Sequence, residues 1–456
     1  MTSNATHQSA HGVTNEKINE YTREVASRKS SSTTSDVVVM EEGKPSAAHG
    51  HERTASTWTA YVNIVCAVAG TGALGIPQAV EKSGWFGIGL LALAHIMTAY
   101  SGVILIKCLY YKGPEHRLST FQDVGEHAFG KVGRYLTIVP NYIMLLGAPI
   151  IFLVLSGSNF NTLLTPLGVT IGYRAWVFII SGAVAVPYIL TKTMKEVAIL
   201  SLFGAFATVV TVVVVMTMSS IDFAKHVHEP KYLPINPSSL PIALSTFAFA
   251  YGGNVIYPHV ESTMRRPEKW SMTYNIALIT VSVLYFGIAI PAYLAYGGIV
   301  KNPVYDNILP GWPRTVAIVF ITAHVLLAIP LFLTSFALEM EKLLRIDRQH
   351  RTARMEFFLR AILRIVIIAF CAVIAVVVRF FDSIMEILGS VAQGALIFVI
   401  PVLFYVKLYG WRKFSWLELA WCAFIIVVGL FSAVIGTIDA VRGLVTKIQA
   451  EGSGLN

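Results

Sequence analysis

Charge is what this chain has least of. Asp, Glu, Lys and Arg make up 13% of its 456 residues, about half the share usual in a soluble domain. Too few ionised side chains remain to cover a water-exposed surface, which excludes a soluble enzyme, a nucleic-acid-binding domain and a disordered scaffold. Cysteine is scarce as well. Cys66, Cys108, Cys371 and Cys422 lie in or beside apolar segments, too few for a disulfide framework. There is no HExxH-like pair and no nucleophile motif, so the chain is not read as an enzyme, and no cofactor or metal is expected. The N-terminus also lacks the charged, apolar, then small-residue pattern of a cleavable signal peptide.

Apolar surface is abundant instead: 55% of the residues are hydrophobic and the mean hydropathy is +0.63. A bilayer must solvate most of such a chain. Residues 1–55 are a different material, with no Phe or Trp and the run SRKSSSTTS at 27–35. They are too polar to bury a core and are expected to form a disordered cytosolic tail. Either a phosphorylated regulatory segment or a plain solvated leader fits that composition.

From Trp58 onward, apolar stretches of spanning length alternate with short polar breaks. Eleven are read: 57–80, 85–107, 135–164, 174–191, 195–219, 240–262, 270–297, 313–340, 358–380, 383–406 and 415–438. The expected fold is an all-α polytopic membrane protein, with a transmembrane domain at 56–440 and a short extracellular or luminal tail at 441–456. The long third span is expected to tilt or kink near Gly147 and Pro149.

The net charge of +9 is an orientation signal. With the N-terminus inside, the inner loops carry more than twice as many Lys and Arg as the outer loops, the positive-inside pattern. Arg345, Arg348, Arg351 and Arg354 are read as part of that signal rather than as an anionic-lipid site. No nucleic-acid partner is expected.

Two spans depart from regular helix. Span one contains Gly70-Thr71-Gly72-Ala73-Leu74-Gly75-Ile76-Pro77, and span six contains Ala250-Tyr251-Gly252-Gly253-Asn254 followed by Pro258. Clustered glycine and proline invite unwinding, and unwound backbone survives in a membrane only where it lines an enclosed cavity. The two interruptions open successive sets of five spans, and an odd number per set inverts the second set. Such paired breaks mark the substrate site of a secondary transporter. Half-helix N-termini there suit a carboxylate and freed carbonyls suit an ammonium, so an α-amino acid fits both poles. Close helix packing by small residues is the competing explanation.

The segment Gly70 to Pro77 with Gly84-Trp85, the stretch Thr120-Phe121-Gln122-Asp123-Val124-Gly125-Glu126-His127-Ala128-Phe129-Gly130, and the run Phe247 to Asn254 together resemble the amino acid/auxin permease family. The likeness covers about residues 57–438, and the Ser/Thr-rich tail is most similar to that of fungal members. The resemblance implies a five-plus-five inverted-repeat (LeuT-like) fold with an added eleventh helix and broken helices 1 and 6. It implies amino acid symport driven by protons or sodium. Carried over, it sets the substrate carboxylate at the backbone of Ala69, Gly70, Thr71 and Gly72. The amino group falls at carbonyls around Phe249, Ala250 and Tyr251, beside Gly253, with Asn254 capping the second break.

Ionisable residues inside spans are functional candidates by default. His324 lies midway along span eight, which lines the site in the resembled fold. It is read either as a proton sensor or substrate contact, or as a neutral buried histidine. For His95, in span two, a bond to a neighbouring helix is the preferred reading. Glu261 and His259 lie at the inner end of span six, where a carboxylate could pair with an arginine across an inner gate. Glu196, Glu339, Glu341 and Glu386 are given no role.

Sodium-coupled relatives of the resembled family place an asparagine and a threonine where this chain has Cys66 and Ala328. A thiol and a methyl suit a hard cation poorly, so proton coupling is expected, with His324 or Glu261 titrating. The interior candidates carry no charge, so a neutral amino acid is the expected substrate. A sodium-coupled symporter and a non-transporting amino acid sensor are the alternatives. No sorting signal is readable, and the plasma membrane is expected over the vacuolar one.

Overall fold

A computed structural model describes residues 53–190, 194–346 and 350–452. The expected tail therefore lies outside the described residues, apart from Arg53, Thr54 and Ala55. Among the described residues, nine helices are long and apolar enough to cross a membrane by length and composition, and two shorter apolar helices accompany them.

The chain runs through α1 (Thr57–Val68), α2 (Ile76–Ser83), α3 (Phe86–Leu109), α4 (Phe121–Leu164), α5 (Tyr173–Leu190), α6 (Met194–Ala224) and α7 (Leu240–Ala250). It continues through α8 (Tyr257–Thr263), α9 (Trp270–Tyr296), α10 (Trp312–Leu343), α11 (Ala353–Val377), α12 (Phe381–Leu388), α13 (Ile400–Tyr409) and α14 (Trp416–Gly452). Many outward side chains are apolar: Val366, Val373 and Val377 on α11, and Val427 and Val434 on α14, are all exposed. Lipid, not water, is the solvent for those faces. The protein is an integral membrane protein.

α7 sits deepest. Every residue from Pro241 to Ala250 is buried, and the helix packs against α2, α3, α12 and α14. α9 crosses the same centre, against α1, α2, α3 and α6. α7 and the buried residues Thr71–Leu74 thus have protein on all sides, which lets the backbone there depart from regular helix.

Two expectations need correction. The break in helical backbone along α4 falls before the third span, not at Gly147 and Pro149, which lie inside the helix. The non-helical residues are Phe129 and Gly130, the latter at φ 61°, where only glycine is unstrained. Residues 121–128 are helix, started by a reciprocal cap between Thr120 and Asp123. The tenth span is not a regular helix. It widens into π-helical turns at Gly389–Gln393 and Ala395–Val399, a rearrangement frequent at functional sites. The segment after residue 440 continues α14 to Gly452, and Lys447 bonds Asp382 and Ser383 at the start of α12.

Candidate functional site

The first interruption begins where α1 ends. Ala69 still donates its N–H to the Val65 carbonyl, at 2.7 Å, so that donor is engaged within α1. Gly70 is extended, Thr71–Leu74 form a 3-10 turn, and α2 starts at Ile76. Thr71, Gly72, Ala73 and Leu74 are all buried. At the far end of α2, Gly84 adopts φ 74°, and a Cβ there would stand 2.5 Å from the Leu233 carbonyl oxygen. Only glycine fits this corner.

The second interruption separates α7 from α8 at residues 251–256, and it meets the first directly. A Cβ on Gly72 would lie 2.5 Å from Ala250 Cα. A residue the sequence did not single out joins them. The Tyr285 hydroxyl, on α9, lies 2.8 Å from the Val68 carbonyl oxygen and 2.6 Å from that of Ala250. These carbonyls are at or near the C-terminal ends of α1 and α7, each the negative pole of a helix dipole. One turn earlier, Ser282 bonds the Tyr251 hydroxyl at 2.8 Å and His95 Nδ1 at 2.7 Å. His95 is thus bonded to a neighbouring helix, in line with its preferred reading. The Phe249 carbonyl accepts from Gly252 N–H.

The π-helical segment is the third wall. Asn254 was expected to cap the second break; instead its Nδ2 donates to the Leu396 carbonyl at 3.1 Å. The residue before α8 is Ile256, with no side-chain cap. Ser101 on α3 donates to the Ile397 carbonyl. Shifting from i+4 to i+5 pairing leaves carbonyls available, and side chains from two other helices take them. Gln393 presses its amide against Gly252, where a Cβ would meet Nε2 at 2.3 Å. Asn254 Oδ1 and Gln393 Oε1 are buried with no hydrogen-bond partner among the described residues. A buried acceptor without a donor is destabilising by about 1–3 kcal/mol, so these two oxygens favour a donor-bearing guest. Gly253 lies beside Tyr257, whose Oη would be 2.8 Å from an added Cβ.

His324 is brought to the same place. It is 8% exposed, and its Nε2 would be 3.8 Å from a Cβ on Gly70. On its other side, Gly204 of α6 approaches so closely that a Cβ would meet Nδ1 at 2.7 Å.

Each end of the broken helices carries an ion pair. Glu261 on α8 is fully buried and faces Arg117 at 2.7 Å and Arg53 at 3.4 Å. The Tyr110 hydroxyl donates to the same carboxylate at 2.5 Å, and Arg117 also donates to the Pro258 carbonyl at 2.6 Å. The backbone of Ala55 exchanges bonds with Thr263 and Arg265, so the last residues of the expected tail are part of this cluster. His259 is exposed while Glu261 is buried. At the opposite end, Lys82 on α2 pairs with Glu386 on α12 at 2.5 Å. Glu386 has no role in the reading of the sequence, since its distance along the chain from Lys82 hides the contact.

A profile of the family described as transmembrane amino acid transporter protein matches residues 53–442. The chain belongs to this family. It is 24% identical over 420 residues to amino acid transporter AVT1C of Arabidopsis thaliana, covering 90% of this chain and 74% of that protein. It is 27% identical over 414 residues to the vesicular inhibitory amino acid transporter of Homo sapiens, covering 87% and 78%. Among solved structures, the inward-facing conformation of Mhp1 aligns with a TM-score of 0.52 at 14% identity, over 87% of this chain and 92% of that one. MhsT in complex with L-phenylalanine gives 0.52 at 12% identity, over 86% and 100%. The fold is therefore LeuT-like.

Proposed function

We propose that the protein carries neutral amino acids across a membrane together with protons, by alternating access around the two interruptions. The observation that carries this reading is their direct meeting, with Gly72 against Ala250 and the Val68 and Ala250 carbonyls converging on one point. Convergent helix ends make a pole for an ammonium, and the turn from Gly70 into α2 offers backbone donors for a carboxylate. Counting each interrupted pair as one broken span gives eleven spans, arranged as five plus five with one added, and a cytosolic N-terminus.

The side chains around the junction include Thr71, Phe249, Tyr251, Asn254, Ser282, Tyr285, Gln393 and His324. None is a carboxylate, lysine or arginine, so a charged substrate side chain would be buried without a partner. That supports neutral amino acids. His324, against Gly70, is the group proposed to take the coupling proton. The Glu261 cluster and the Lys82–Glu386 pair then act as inner and outer closures that break in turn. A sodium site would need several oxygen ligands; the side chains of Cys66 and Ala328 contribute none.

A second reading concerns the membrane. The plasma membrane was expected, but a relative named as a vesicular transporter favours an internal one. Microscopy of the tagged chain decides between them.

The test is uptake of a radiolabelled amino acid panel by proteoliposomes holding the full chain. Neutral amino acids are expected to accumulate, to compete best and to be lost on adding a protonophore. Binding without accumulation favours a sensor, and preference for lysine or glutamate overturns the substrate reading.

A further inference from the structure

The Tyr285 hydroxyl has one proton and two carbonyl neighbours, Val68 at 2.8 Å and Ala250 at 2.6 Å. The two carbonyls belong to different broken segments. Both are negative helix ends, and two such ends held close repel each other unless a donor lies between them. Tyr285 supplies that donor. Its own position is fixed: the residue is 1% exposed, and its ring stands edge-on to Tyr251 at 5.2 Å. Ser282, on the same face of α9, holds the Tyr251 hydroxyl, so one helix face grips the junction twice. Each carbonyl oxygen has a second lone pair, so the bond to Tyr285 leaves room for another donor on both.

We propose that Tyr285 is a positioning residue for substrate, its hydroxyl strapping the ends of α1 and α7 so that the Val68 and Ala250 carbonyls present one amine-accepting pole of fixed width. This rests on the transport reading above, which sets the substrate amino group at that pole. A pole of fixed width discriminates between a primary ammonium, with three N–H donors, and an N-methylated one, with two donors and added bulk.

The experiment compares wild type with Tyr285→Phe, which keeps the ring and removes the donor. Proteoliposome uptake gives KM and kcat for a neutral amino acid and for its N-methyl analogue. Tyr285→Phe is expected to raise KM for the primary amine by about tenfold, the effect of one charge-assisted contact made loose, and to narrow the preference over the N-methyl analogue. A merely stabilising role would lower the amount of active protein and leave that preference unchanged, which overturns the proposal.

A second readout needs no transport. Cys66 lies two residues before Val68 on α1 and is half-buried, whereas Cys108, Cys371 and Cys422 are buried. Releasing the α1 end is expected to speed Cys66 modification by a soluble thiol reagent at least threefold, against a Cys66→Ser background. If wild type takes up no amino acid, the transport reading fails, and the Cys66 rate still decides the strap. Equal Cys66 rates in wild type and Tyr285→Phe overturn it.

Discussion

Gly72 and Ala250, far apart in sequence, touch backbone to backbone at the centre of the molecule. A Cβ on residue 72 would stand 2.5 Å from Ala250 Cα and 2.9 Å from its Cβ, distances that packed atoms do not tolerate. Because the neighbour is main chain in a buried helix, it has little freedom to give way.

Substitutions at residue 72 should therefore push the two broken segments apart. Gly72→Ala is expected to lower uptake at least about tenfold, as small displacements at a binding site do, and Gly72→Val to abolish it. Gly89→Ala is the control, since an added Cβ there meets nothing within 4 Å. Its uptake should stay within about twofold of wild type. Normalised to protein in the membrane, near-normal transport by Gly72→Val would show that close approach is not needed.

The two arginines facing Glu261 should differ in weight. Arg117 is 2.7 Å from the carboxylate and 15% exposed, whereas Arg53 is 3.4 Å away and 35% exposed. Removing one member of a buried pair costs about 3–5 kcal/mol, and an exposed pair contributes about 0–1 kcal/mol. Arg117→Ala is expected to destabilise the detergent-solubilised protein far more than Arg53→Ala. Thermal unfolding with Glu261→Gln as the third corner of a double-mutant cycle measures it. Equal effects of the two arginines would contradict the geometry.

At the opposite end, reversing the charge of Lys82 should place two carboxylates together beside Asp382. Lys82→Glu is expected to cut the transport rate at least about tenfold, since like charges at a closure repel. Lys82→Glu combined with Glu386→Lys should regain most of it. A double variant no better than the single one would mean that Lys82 acts other than through Glu386.

His324 is the side chain that separates coupling from binding. His324→Gln is expected to abolish protonophore-sensitive accumulation while leaving exchange of external for internal amino acid. Uptake that depends on sodium at constant pH, and ignores protonophore, would refute proton coupling altogether.

Some of this was legible in the chain itself. Low charge, long apolar runs and alternating cations require a helical membrane protein, because backbone polar groups in lipid must be paired within each segment. The glycine and proline clusters at 70–77 and 250–258 mark where helices stop, since those residues weaken helix wherever they stand. What touches what was not legible. Arg53, at the edge of an apparent tail, and Arg117, one loop cation among many, gain meaning only when folding brings them to Glu261. Tyr285 and Gln393 sit within apolar spans of unremarkable composition, and the π-helical turns at 389–399 leave little trace beyond Gly389 and Gly394. Local sequence governs whether a backbone can leave the helix. Which donor then reaches its freed carbonyls depends on other helices, some more than two hundred residues away, and only their packing decides it.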